Sequence, residues 1–189
     1  MMLELLYKVY AKHSSNTFVC VLRKMMIVGQ RHKYKWLKLC GLQYGEGTKL
    51  RCGLDAFPEP YMVRMGKKVY VAAGVSFMTH DGALSWMSRA MGITEKRTDK
   101  MGKIVVGDNC FIGARATIMQ NVTIGDNCII GMNAVVTKDV PDNSVVAGVP
   151  AKIIGTTTEF LDKYKDCGDH TCGWEYGKKR AYYEAKVEK

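Results

Sequence analysis

The sequence predicts a mainly β fold: a solenoid of short strands preceded by short helices, interrupted by one inserted loop and followed by a C-terminal helix. Three observations predict it. Aliphatic residues recur every sixth position at Val106, Ile112, Ile118, Ile124, Ile130 and Val136. Glycine follows four of them, at Gly107, Gly113, Gly125 and Gly131. Four residues after each aliphatic stands a small or short side chain: Cys110, Ala116, Val122, Cys128, Ala134 and Val140.

A helix repeats its apolar positions every three or four residues and a lone strand every two, so a period of six fits neither. It fits a coil in which each short strand ends at a corner and turns one large side chain inward. Three such sides make a turn of 18 residues, and successive turns stack at about 4.8 Å. Val106 is then expected beneath Ile124, Ile112 beneath Ile130, and Ile118 beneath Val136. Glycine in the second place is expected to permit corner dihedrals that a Cβ hinders. The pattern starts earlier, at Tyr44 and Leu50, and continues through Met65, Val71 and Phe77. It is lost between Phe77 and Val106, where residues 78–103 read as a structureless excursion that opens on His80. Long loops leaving a compact body are usually functional. Cys110 and Cys128 occupy the small place 18 residues apart, and are expected to stack in the core, not to act as nucleophiles.

Composition narrows the classes. The 189 residues are 47% hydrophobic and 24% charged, which excludes wholesale disorder. A net charge of +10 points to an anionic partner without choosing one. Seven cysteines in irregular positions favour a reducing, cytoplasmic setting over a disulfide scaffold. No run approaches the roughly 20 uncharged residues that span a membrane, and no cleavage site follows an apolar leader, so neither spanning nor export by that route is expected. Dinucleotide and phosphate-loop fingerprints are missing, which leaves redox and kinase chemistry without support.

Residues 44–155 resemble the hexapeptide-repeat acyltransferases, whose fold is a left-handed parallel β-helix. The stretch TIGDNCIIGMNAVVTKDVPDNSVVAGVPAKII at 123–154 is similar to that family's last coils and exit. Earlier in the repeat, VYVAAGVSFMTHDGA at 69–83 resembles the sugar and surface-polysaccharide O-acetyltransferases. The left hand comes from the resemblance alone, since crossover rules favour the right. The resemblance implies a homotrimer, acetyl-CoA as acyl donor in a groove between subunits, a sugar or glycan acceptor, and no metal or nucleic acid. It places the general base at His80, in MTHDG. An imidazole with an ordinary pKa near 6.5 suits that role, because a sugar hydroxyl must lose its proton as it attacks a thioester. Asp81 is the candidate to orient the ring, although neighbours on an extended segment point oppositely. The resemblance further implies that Ala114 and Met132 meet the pantetheine arm through their backbone, Thr137 and Lys138 the nucleotide end, and Lys152 a phosphate. One basic position of the galactoside-type pattern is Gly155 in this chain. The expected mechanism is direct transfer in a ternary complex, with a backbone N–H steadying the oxyanion.

Three alternatives stand beside this reading: N-acetylation of a nucleotide-linked amino sugar, a non-catalytic glycan-binding β-helix trimer, and a γ-class carbonic anhydrase. The last needs three histidines at a metal, and only His80 of His13, His32, His80 and His170 falls in the repeat. The tail CGDHTC offers Cys167, His170 and Cys172, a spacing that matches no common zinc motif.

The flanks divide as residues 1–43 and 156–189. Residues 1–40 hold eight basic side chains against Glu4 alone. Leu3, Leu6, Val9 and Tyr10, then Trp36, Leu37 and Cys40, have helical spacing, so short amphipathic helices are expected to cap the first coil. A sharper expectation sets their basic face, including Lys33, against the inner face of a membrane. The segment TTTEFLDKY at 156–164 reads as a helix leaving the last coil. The remaining tail reads as polar and aromatic. In the inserted loop, Trp86, Met87 and Met91 are candidates to wall an acceptor pocket.

Overall fold

The computed structural model describes residues 30–95, 100–166 and 168–187. The chain divides into two compact units, Met1–Thr157 and Thr158–Lys189. The first is a three-sided coil of parallel strands. One sheet runs β1 (Gln43–Tyr44), β3 (Val63–Met65), β8 (Ile104–Val106) and β11 (Thr123–Ile124). A second runs β2 (Lys49–Leu50), β4 (Tyr70–Val71), β9 (Phe111–Ile112), β12 (Ile129–Ile130), β14 (Ser144–Ala147) and β15 (Lys152–Thr156), the last pair antiparallel. The third runs β5 (Ser76–Met78), β10 (Thr117–Met119) and β13 (Val135–Val136).

Registers are those the period of six demands. Val106 pairs with Ile124, Ile112 with Ile130, and Ile118 with Val136. Met65, Val71 and Phe77 extend the same columns below. All nine are buried. At about 1.5–3 kcal/mol for each fully buried aliphatic, before chain entropy is subtracted, these columns are the main cohesive element of the unit. Cys110 and Cys128 are buried in the column of small residues; burial pushes the Cys110 thiol up to about 12 and raises that of Cys128. In the first coil the third side is a 3-10 turn, Leu54–Ala56, after which Phe57 stacks on Phe77 with ring centroids 4.9 Å apart.

The reason expected for the second-place glycines is corrected. The left-handed corners are two places later, at Lys68, Asn109, Arg115, Asn121, Asn127, Asn133 and Asn143, with φ between 53° and 63°. Asparagine tolerates this region better than other residues with a Cβ. Gly66, Gly107 and Gly125 are required instead by the approach of the next coil. A Cβ on Gly107 would lie 2.2 Å from Asp126 Oδ1 and 2.8 Å from the Gly125 carbonyl carbon. The same aspartates knit the coils: Asp126 Oδ1 accepts from the Asp108 N–H at 2.6 Å, and Asp142 Oδ1 from the Asp126 N–H at 2.8 Å.

Helix α1 (Gln30–Leu39) covers the free edge of β2. Trp36, Leu37 and Cys40 are buried, as their spacing predicts. The Leu50 N–H donates to the Tyr34 hydroxyl at 2.7 Å, and Lys33 Nζ donates to the carbonyls of Leu50 and Cys52 at 2.7 and 3.0 Å. Side chains thus supply the bonds a further strand would have made. Lys33 is consequently buried, which corrects its assignment to an exposed basic face. The segment carrying Leu3, Leu6, Val9 and Tyr10 lies outside the described residues.

Among its described residues the inserted loop carries regular structure, contrary to the expectation of a structureless excursion. It rises as a hairpin of β6 (His80–Asp81) and β7 (Lys100–Met101), with helix α2 (Ala83–Ala90) between them. At the coil's exit, helix α3 (Thr157–Tyr164) forms where TTTEFLDKY predicts one. The second unit also contains helix α4 (Tyr176–Val187), which the sequence pattern did not predict. There Asp169 accepts from Lys186 Nζ at 2.8 Å and from the Tyr182 hydroxyl at 2.9 Å. Hydrogen bonds from Lys186 and Tyr182 hold the Asp169 carboxyl below the usual carboxylate range.

Candidate active site

The site grows from the end of β5. Phe77 points into the core and fixes the strand; two residues on, Thr79 is wholly buried at the corner. Its carbonyl accepts from the Gly102 N–H at 2.9 Å, which clasps the root of the arm. His80 then leaves the coil on β6, paired with Met101. Its side chain is 43% exposed, and its Nδ1 lies 2.9 Å from Glu59 Oε2. The Thr79 hydroxyl donates to that same oxygen. Glu59 comes from the turn before the 3-10 segment Pro60–Met62, in the first coil.

Glu59 was not singled out by the sequence pattern. Its signal was the lone acid between two prolines, in FPEPY, just before an inward-facing strand. Asp81, the expected orienting group, is turned away: its Oδ1 accepts from the Ala83 N–H at 2.9 Å, at the start of α2. No residue of α2 is buried, and Trp86 is 67% exposed.

The remaining candidates border the third sheet. Ile112 and Ile130 share one column, and Ala114 and Met132 stand two residues past them on the edge between the second and third sheets. The Ala114 carbonyl accepts from the Asn133 N–H at 2.9 Å, while the Met132 side chain is exposed. Lys152 opens β15 opposite Ala147, one residue past Val146 in the same column, and is exposed. Phe77, Ile118 and Val136 share the next column, so Thr79, Gln120 and Lys138 follow on one edge of the prism. Thr137 and Lys138 are exposed there, two coils or about 10 Å along the axis from the root of His80. Gln120 Oε1, between them, is buried without a partner among the described residues. The structure therefore groups His80, Thr137 and Lys138 on one edge of the third sheet, and Ala114, Met132 and Lys152 on the other. Among the described residues no three His, Cys, Asp or Glu side chains converge as a metal site.

Arranged so, an accessible imidazole stands at one end of a sheet whose two edges each offer an exposed lysine further along the axis. Known proteins share the coil. Residues 103–138 match the model described as hexapeptide repeat of succinyl-transferase. Protein CapG of Staphylococcus aureus is 42% identical over 124 residues, covering 66% of this chain and 70% of CapG. A 2,3,4,5-tetrahydropyridine-2,6-dicarboxylate N-acetyltransferase of Staphylococcus saprophyticus is 41% identical over 101 residues, 53% of this chain; the chain spans only 36% of that relative's length. Among solved structures, the hexapeptide-repeat-containing acetyltransferase VCA0836 of Vibrio cholerae superposes with a TM-score of 0.57 at 20% identity, over 83% of this chain and 93% of that one. Coil and columns define a left-handed parallel β-helix protein. The chain belongs to the hexapeptide-repeat acetyltransferase family, which makes it an acyltransferase by class.

Proposed function

We propose that the chain moves an acetyl group from acetyl-CoA to a hydroxyl of a sugar or polysaccharide precursor, with His80 as general base. The observation that carries this reading is the exposed His80 ring at the root of the arm, on the prism edge that also bears Thr137 and Lys138. When bound, acetyl-CoA supplies the activated acetyl carbonyl and a thiol leaving group. The residues fit such a donor: the exposed Lys138 and Lys152 suit its phosphates, and the corner at Ala114 and the exposed Met132 is where its amide-bearing arm would lie. His80 Nε2 takes the hydroxyl proton as the new C–O bond forms and returns a proton to the departing sulfur. Asp81 and Trp86 line the acceptor side in this reading. The groove is completed by a neighbouring copy, so the active species is a homotrimer, and the setting is cytoplasmic. No helix among the described residues is long and apolar enough to cross a membrane.

The test is acetyl transfer over an acceptor panel, with His80→Ala as control. Loss of about 100-fold or more in kcat with coenzyme A binding preserved supports the base; unchanged turnover rejects it. A second reading, acetylation of an amino group, is favoured by the similarity to the N-acetyltransferase over 101 residues. Acceptors bearing only amines or only hydroxyls separate the two. Complete absence of transfer to both, with glycan binding retained, would instead favour the non-catalytic trimer. Peripheral membrane contact rests on the basic side chains of residues 1–40 other than the buried Lys33, and co-sedimentation with anionic vesicles at low salt tests it.

A further inference from the structure

We propose that Glu59, steadied by Thr79, is a positioning residue that presents His80 as the Nδ1–H tautomer with Nε2 free for the acceptor proton. The proposal rests on reading His80 as the base. A carboxylate only accepts hydrogen bonds, so an Nδ1 placed 2.9 Å from Glu59 Oε2 must be the protonated ring nitrogen. The lone pair then lies on Nε2, at the other side of the ring.

Exposure agrees with that polarity. The Glu59 side chain is 21% exposed and that of His80 43%, so the carboxylate backs the ring from the protein side and leaves the remaining nitrogen accessible. Thr79 supplies the second restraint. Its hydroxyl is buried, needs an acceptor, and finds the same Oε2. Adjacent residues of an extended strand point oppositely, yet Thr79 and His80 both reach one oxygen because the chain turns out of the third sheet between them. Glu59 also bridges two distant parts of the chain: it lies 21 residues before His80, in the first coil, while the ring rides on the arm. Asp81, next to His80 in sequence, accepts instead from the Ala83 N–H at the start of α2. When the ring takes a proton, the carboxylate already in place offsets the new charge.

The experiment uses the full chain with 15N-labelled histidine. Two-bond 1H–15N spectra of the neutral rings report the tautomer, with His80 assigned by its loss in His80→Gln. The wild type is expected to show His80 protonated at Nδ1. Glu59→Leu is expected to shift it toward the Nε2–H form and to lower kcat about tenfold or more while KM changes less than about twofold. Thr79→Val is expected to give a smaller fall in kcat of about threefold, again without a KM change. Glu59→Gln keeps a carbonyl oxygen without the charge, and should retain the tautomer while losing part of kcat. An unaltered tautomer and kcat in Glu59→Leu overturn the proposal. Should Glu59→Leu fail to fold, wild-type kcat in both Glu59→Gln and Thr79→Val overturns it equally. Full turnover in His80→Ala would sink the base assignment itself, whereas a tautomer shift without any kinetic change would sink only the positioning role of Glu59.

Discussion

Gly107→Ala tests whether the second-place glycines serve stacking or backbone torsion. The φ of Gly107 is not in the left-handed region, so on torsional grounds alanine would be tolerated there. On steric grounds it would not. The new methyl would lie 2.2 Å from Asp126 Oδ1 and 2.8 Å from Gly125 carbonyl atoms, and the backbone atoms cannot yield without separating two coils. Overpacking of this kind costs about 1–3 kcal/mol. Displacing Asp126 also weakens the bond it accepts from the Asp108 N–H, for about 0.5–1.5 kcal/mol more. A combined loss of about 2–4 kcal/mol lowers the melting temperature of a chain this size by roughly 4–16 °C. Circular dichroism melts, with urea unfolding for the free energy, measure it. Asn127 is the counterpart, with φ 55° and an Oδ1 that accepts from Asn109 Nδ2 at 3.1 Å. There alanine should lose about 1–2 kcal/mol and glycine less, because the cost at that corner is torsional. A Gly107→Ala protein melting within about 2 °C of wild type would refute the stacking argument.

Two other outcomes follow from buried polar groups. Burial pushes the Cys52 thiol up to about 11 and that of Cys110 up to about 12, above the ordinary 9.0. Their contribution is therefore fully present below pH 9 and is lost as pH rises toward 11 and 12, by up to about 1.4 kcal/mol per pH unit per thiol. Cys110→Ala should flatten the upper part of that alkaline decline, and an unchanged slope would contradict it. Lys33→Met removes the donor that serves the Leu50 and Cys52 carbonyls. It should cost about 1–3 kcal/mol in urea unfolding, as expected for buried acceptors left unpaired, and a neutral result would show that another group already satisfies them.

The columns were legible because stacking imposes the same requirement on residues 18 apart, and Ile112 over Ile130 satisfies it in sequence as in space. What was not legible stayed hidden for separate physical reasons. Glu59 reaches His80 from a turn outside the period, and contact between segments 21 residues apart leaves no local pattern. Helix α2 buries nothing, so no core position announces it. Helix α4 mixes Tyr182 and Tyr183 with Lys178, Lys179 and Arg180, and a sequence polar on most faces carries little amphipathic signal. The charge of Lys33 suggests an outward side chain, but its four-carbon stem lets the ammonium reach carbonyls at a covered strand edge. His80 stood out in the sequence where the repeat is lost, but its role as base came from the resemblance, not from the spacing.

The arm departs and returns through Thr79 and Gly102, which are hydrogen-bonded to each other, while Met65 still pairs with Val106 and Phe77 with Ile118 across the interruption. The scaffold thus closes its rungs regardless of what is spliced between those two residues. Lengthening such an excursion is entropically inexpensive, roughly 0.6 kcal/mol per doubling. If the proposed function holds, acceptor preference can diversify by rewriting the appendage while the rungs stay fixed, and grafting another arm between Asp81 and Lys100 keeps His80 and its strand pairing in place.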